Sequence, residues 1–155
     1  MGMTLQFVAG KKDDIIEATR NFNFDFFDEM DSSKRIADFS LHLIPNDLDL
    51  LVNSAAKLRG IPKFGLREHL DLTNNYFDSH DGGAYSLHSK ISELFSSFKK
   101  EDAPLIARQW FQMMETEHNE TLEMTDEAIL AVEDLIYLST ECKKNNHDLT
   151  HVWFP

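Results

Sequence analysis

Hydrophobic positions along this chain change period several times, and each change predicts an element. Met3, Leu5 and Phe7 alternate with Thr4, Gln6 and Val8, the two-residue period of a strand over residues 3–9 with one buried face, and Gly10 ends it. In "KKDDIIEATRNFNFDFFDEM", Ile15, Ile16, Thr19, Phe22, Phe26 and Phe27 recur near helical spacing behind Asp13 as a cap, which predicts a helix with an aromatic inner face. Alternation returns over residues 37–43, where Phe39, Leu41 and Leu43 oppose Ser40 and His42, and predicts a second strand before Pro45. The stripe of Leu48, Leu51, Val52, Ala55 and Leu58 then predicts a helix capped by Asn46 and stopped by Gly60.

The stretch from Leu66 to Phe77 fits two periods: Leu66, Leu70 and Leu72 suit a strand, and Leu66, His69, Leu70 and Thr73 suit a short helix. "DSHDGG", Asp78 to Gly83, is turn chemistry with glycines able to take positive φ, and predicts a hairpin-like return through Ala84 to Leu87. Ser89 caps a helix that buries Ile91, Leu94, Phe95 and Phe98. Asp102, with Pro104 tolerated in the first turn, opens another that buries Leu105, Ile106, Trp110, Met113 and Met114. Thr125 opens a final helix along Ile129, Val132, Leu135, Ile136, Leu138 and Cys142, with Lys143 and Lys144 favourably placed near its C-terminus and Asn145-Asn146 ending it.

After that break, "DLTHVWF" has the β-branched and aromatic content of a strand, with Leu149, His151 and Trp153 on one face and Thr150, Val152 and Phe154 on the other. Both faces become apolar, as in an interior strand. His147 and His151 are therefore not a metal pair: four residues of strand span about 13 Å, far beyond two ligands each ~2 Å from one ion. These elements amount to a single α+β domain over residues 1–155, a mixed or antiparallel sheet of four or five strands with four or five helices packed on it. Neither an internal repeat nor a linker divides it.

The Met1-Gly2-Met3 start running directly into a strand, together with the long last helix, the Asn-rich break and the closing "NHDLTHVWFP", resembles the YfbM-like family of small uncharacterised bacterial proteins. The likeness lies at the two chain ends. It implies an α+β fold and no particular chemistry.

Composition adds the compartment. With 42% hydrophobic residues, twelve Phe and two Trp, the chain has enough apolar area to offset its conformational entropy. The lone Cys142 excludes an intramolecular disulfide and suits a reducing compartment. The N-terminus lacks the basic and apolar regions of a secretory signal, and myristoylation at Gly2 would need Ser or Thr where Gln6 stands. No apolar run approaches the roughly eighteen residues that span a bilayer. The expectation is a cytoplasmic protein with no membrane partner.

The net charge of −12 is unevenly spread. From Glu101 to Glu141 there are eleven acids against one base, Arg108, whereas Leu51 to Lys100 holds seven bases and five acids. The acidic third disfavours nucleic acid, whose phosphates need Lys and Arg. It allows a basic protein partner, with Glu115, Glu117, Glu120, Glu123, Asp126, Glu127, Glu133 and Asp134 as the contacting acids; the plainer alternative is a solvated face that aids solubility.

Other constellations are thinner. Glu115 and His118 share a helical face, but a di-metal bundle needs a second such motif and two more Glu. Asp78, His80 and Asp81 bring two carboxylates and an imidazole to a glycine-rich loop, either as a metal or catalytic site or as turn residues serving the backbone. Cys142 reads as a packed hydrophobe, Phe22 to Phe27 as core or a docking patch, and His42, His69, His88 and His151 scatter over four elements. Phosphate-loop, dinucleotide, nucleophile-elbow and zinc-protease motifs are missing, and no cofactor is implied. Three functions stay open: a non-catalytic acidic protein-binding module of the kind that inhibits a basic toxin, as an immunity protein does; a small enzyme or ligand- or metal-binding protein with a site near Asp78–Gly83; and a homo-oligomeric structural protein.

Overall fold

A computed structural model describes residues 3–155, so the Met1-Gly2 part of the family resemblance and the myristoylation reading at Gly2 lie outside the described residues. Five strands form one antiparallel sheet in the order β2-β1-β5-β4-β3, where β1 is Thr4–Gly10, β2 Ile36–Asp38, β3 Phe77–Ser79, β4 Gly82–Ser86 and β5 Asp148–Phe154. Every pairing is antiparallel, which resolves the mixed-or-antiparallel alternative. The last segment of the chain is the central strand, hydrogen-bonded on both sides, as its two apolar faces require.

Helices cover both faces of the sheet. On one face α1 (Lys12–Arg20) and α2 (Phe24–Ser32) set Ile15, Ile16 and Phe27 against Val8, Val152 and Phe154. On the other, α3 (Pro45–Leu58), α4 (Ser89–Ser96), α5 (Ala103–His118) and α6 (Asp126–Asn145) enclose the larger core around Phe7, Phe39, Trp110 and Leu135. Among the described residues no helix is long and apolar enough to cross a membrane.

Several expectations need correction. The single aromatic helix is two, because Phe22 takes a left-handed φ of 51° and Asn23 Oδ1 accepts from the Phe26 amide, starting α2 afresh. Phe27 is buried, while Phe22 and Phe24 stand 40% and 56% exposed around Phe154. The second strand stops at Asp38 instead of reaching residue 43. Asp38 Oδ1 accepts from Ser40 N at 2.9 Å and Ser40 Oγ accepts from Leu5 N at 3.1 Å, so short polar side chains replace the ladder and turn the chain away.

The caps also moved. Asp13 lies inside α1 rather than at its cap. Pro45 occupies the first turn of α3, and Asp47, not Asn46, reaches back to the Ile44 amide. His88 rather than Ser89 caps α4, its Nδ1 accepting from Lys90 N. Thr125 caps α6 as expected, accepting from Ala128 N at 3.2 Å. The ambiguous stretch is a 3-10 turn, Arg67–His69, followed by a single bridge between Leu70 and Leu87.

Candidate functional site

The eight acids do not form one patch. α5 ends at Asn119, whose left-handed φ of 53° sends the chain round into a connection carrying Glu120 and Glu123, and Asp126 and Glu127 occupy the first turn of α6. Carboxylates there oppose the positive end of the helix dipole. Glu117, Glu120, Glu123, Asp126 and Glu127 are exposed, and Glu115 is half-buried beside Glu120. Glu133 and Asp134 lie farther along α6, in a separate cleft of about 700 Å³ that also holds Lys34, Lys99 and Lys100. Burial, then the charges of Glu133 and Asp31, raise the Asp134 carboxyl above its ordinary range, with Lys100 and Lys34 opposing. Facing three lysines, that pair has local cations to answer it; the acids at the α5–α6 turn do not line that cleft.

Glu120 and Glu123 edge a groove of about 470 Å³ with apolar walls from Leu41, Leu43, Ile44, Phe111 and Leu122. At its base lies a buried carboxylate. Asp47 is 4% exposed; its Oδ2 accepts from the Ile44 amide at 3.0 Å, its Oδ1 meets His118 Nε2 at 2.6 Å, and its backbone carbonyl accepts from Trp110 Nε1 at 2.8 Å. The hydrogen bond to Asp47, more than any other influence, raises the His118 pKa above its ordinary value. This node ties the start of α3 to the end of α5 within the groove's lining. The Glu115–His118 spacing that suggested a metal therefore has its imidazole held by Asp47 on Nε2.

The glycine loop is a tight hairpin. His80 and Asp81, both exposed, form the two-residue turn between β3 and β4; Ser79 Oγ accepts from Asp81 N and donates to the Gly82 carbonyl. Asp78 is exposed on β3 opposite Gly83. The glycines serve space: a Cβ on Gly83 would overlap Trp153 Nε1, and one on Gly82 would stand 3.1 Å from Phe154 Cδ1. Among the described residues no three His, Cys, Asp or Glu gather to hold a metal.

The four histidines do not converge. His69 and His88 meet, ring centroids 6.2 Å apart, with His69 tilted against Phe64 at 4.2 Å; His42 lines the acidic groove. His151 stands alone in the centre of the sheet, 4% exposed, beside a second cavity with Tyr85 and Trp153. Sequence reasoning set His151 on the same face as Leu149 and Trp153 without assigning it a role; the signal was an imidazole in mid-strand on an apolar face. Cys142 is buried, its thiol pushed up to about 12 chiefly by burial, and packs as a hydrophobe. No protein-family model, curated protein or solved structure matches the chain.

Proposed function

We propose that this chain is a protein-binding module whose acidic end receives a basic protein. The observation that supports it is the groove beneath Glu120 and Glu123, apolar along its walls and acidic at its rim. Lys and Arg side chains have that same division, a methylene stem ending in a cation, and bury the stem while the head stays near water. The stem lies against Leu122 and Phe111, and the cation meets Glu120 or Glu123. Glu117, Asp126 and Glu127, exposed near the α5–α6 turn, speed encounter with a positive surface. A partner whose own working surface is basic, such as a toxin acting on nucleic acid, would be masked by this contact.

Titration of the full chain with a decalysine and a decaarginine peptide, by calorimetry at ~50 mM and ~0.5 M salt, tests the reading. Saturable binding that weakens with salt and is lost in Glu120→Lys/Glu123→Lys is expected. Leu122→Asp separates the groove from mere charge: it adds an acid, so binding by general attraction would strengthen, whereas binding through the apolar wall weakens. Strengthening would refute the proposal.

A further inference from the structure

His151 is a core imidazole with one ring nitrogen bonded to the backbone. Its Nδ1 lies 3.1 Å from the Gln6 carbonyl oxygen, which can only accept, so Nδ1 carries the proton and Nε2 presents a lone pair. Among the described residues Nε2 has no hydrogen-bond partner. The ring is fixed from the side by Phe7, with centroids 5.3 Å apart. His151 lines a cavity of about 340 Å³ between the start of α3, the Arg67–His69 turn and the β4–β5 end of the sheet. That size falls in the lower range of small-molecule sites.

The walls define the occupant. Met3, Pro45, Leu66 and Leu70 are apolar, and Tyr85 and Trp153 add aromatic rings. Trp153 holds its position because Gly83 has no side chain to displace the indole. The two charged groups at the cavity are engaged within the protein: Asp49 Oδ1 accepts from the Arg67 amide at 2.9 Å, and the Arg67 guanidinium donates to Asn46 Oδ1 at 3.4 Å. The lining is thus mostly apolar and aromatic, with Asp49 and Arg67 as its charged groups and His151 among its polar ones.

We infer that this cavity binds a small, uncharged aromatic molecule bearing one hydrogen-bond donor, a phenol-type hydroxyl or a ring N–H, which donates to His151 Nε2. Burial lowers the His151 pKa to about 4, so the imidazole remains a neutral acceptor at physiological pH and is too weak a base to abstract protons there. The site is for binding, and it is independent of the acidic groove.

The test uses the full chain with phenol and indole as donors, and anisole and 1-methylindole as matched compounds without one. Ligand-observed NMR gives the affinities, and the His151 Nε2 nitrogen shift reports the contact. Phenol or indole is expected to bind at least about tenfold more tightly than its methylated counterpart, the worth of one made hydrogen bond, and to move the Nε2 shift. In His151→Phe the preference falls to about one; in Leu70→Trp, which fills the cavity with a larger lining side chain, binding is lost. Equal affinity for methylated and unmethylated compounds, or no saturable binding with an unmoved Nε2 shift, overturns the inference and leaves a hydration site. The shift measurement on the unaltered protein decides even where a variant fails to fold.

Discussion

His118 and His151 are the same side chain placed in opposite surroundings. His118 is held by the Asp47 carboxylate in the acidic groove, which favours its charged form; His151 is held by a carbonyl deep in the sheet, where burial favours its neutral form. One ties two helices through a carboxylate that raises its pKa, and the other is a buried imidazole beside a cavity whose pKa burial lowers. A histidine's role here follows from what its fixed nitrogen touches, because burial and partner move the same titration in opposite directions.

The largest way to break this contrast is acid. His151 titrates at about 4 in the folded chain against about 6.5 when unfolded, so the unfolded state gains a proton first as pH falls. Its contribution is fully present above about pH 6.5 and lost progressively towards pH 4, amounting to about 3 kcal/mol from 1.36 kcal/mol per unit. Urea midpoints measured from pH 4 to 7 should show this loss in the unaltered chain and its disappearance in His151→Phe; an identical slope in both would refute it.

Next in size is Gly83→Val, which forces Trp153 off β4 and should destabilise by about 2 kcal/mol, read as a lower thermal midpoint together with a shifted Trp153 indole resonance. Asp47→Ala strips the Ile44 amide and His118 of their acceptor, with an expected cost of about 2 kcal/mol in denaturant unfolding. For His118 the linkage has the other sign. Its folded pKa lies above 6.5, so its contribution is complete below that pH and fades as pH rises through the folded value. A His118→Gln variant should flatten the decline in midpoint between pH 6 and 9.

The smallest effect on stability is expected for Glu120→Lys/Glu123→Lys: within about 0.5 kcal/mol, because both side chains are exposed, although binding of basic peptides is lost. Reversing Glu133 and Asp134 should leave that binding unchanged, since they line the lysine-bearing cleft instead.

Much of the fold could be read from the sequence where one period ran without competition. β5 and α6 with its Thr125 cap carry an unbroken pattern between plain stop signals. The glycine-rich turn marked the hairpin return, although Asp78, Ser79, Gly82 and Gly83 belong to its strands and the turn itself is His80-Asp81. Errors fell where side chains compete with backbone. Asn23 restarts a helix inside a phenylalanine run whose spacing looks continuous, and Asp38 and Ser40 take up backbone donors that alternation assigns to a strand. For the candidate site, the acids of the α5–α6 turn were visible because exposed charge shows directly in composition. Their division into a groove rim and a lysine-lined cleft was not, since Lys34 and Lys99 approach α6 from distant parts of the chain.

The sequence by itself determined the α+β class, the central strand at its carboxyl end and the acidic excess, since these depend on local period and on summed charge. Tertiary structure alone decided which groups meet. Asp47 and His118 are 71 residues apart, and His151 and Gln6 are 145 apart. Whether an imidazole is held by a carbonyl inside the sheet or by a carboxylate between two helices depends on neighbours that only the closed fold brings within hydrogen-bond range.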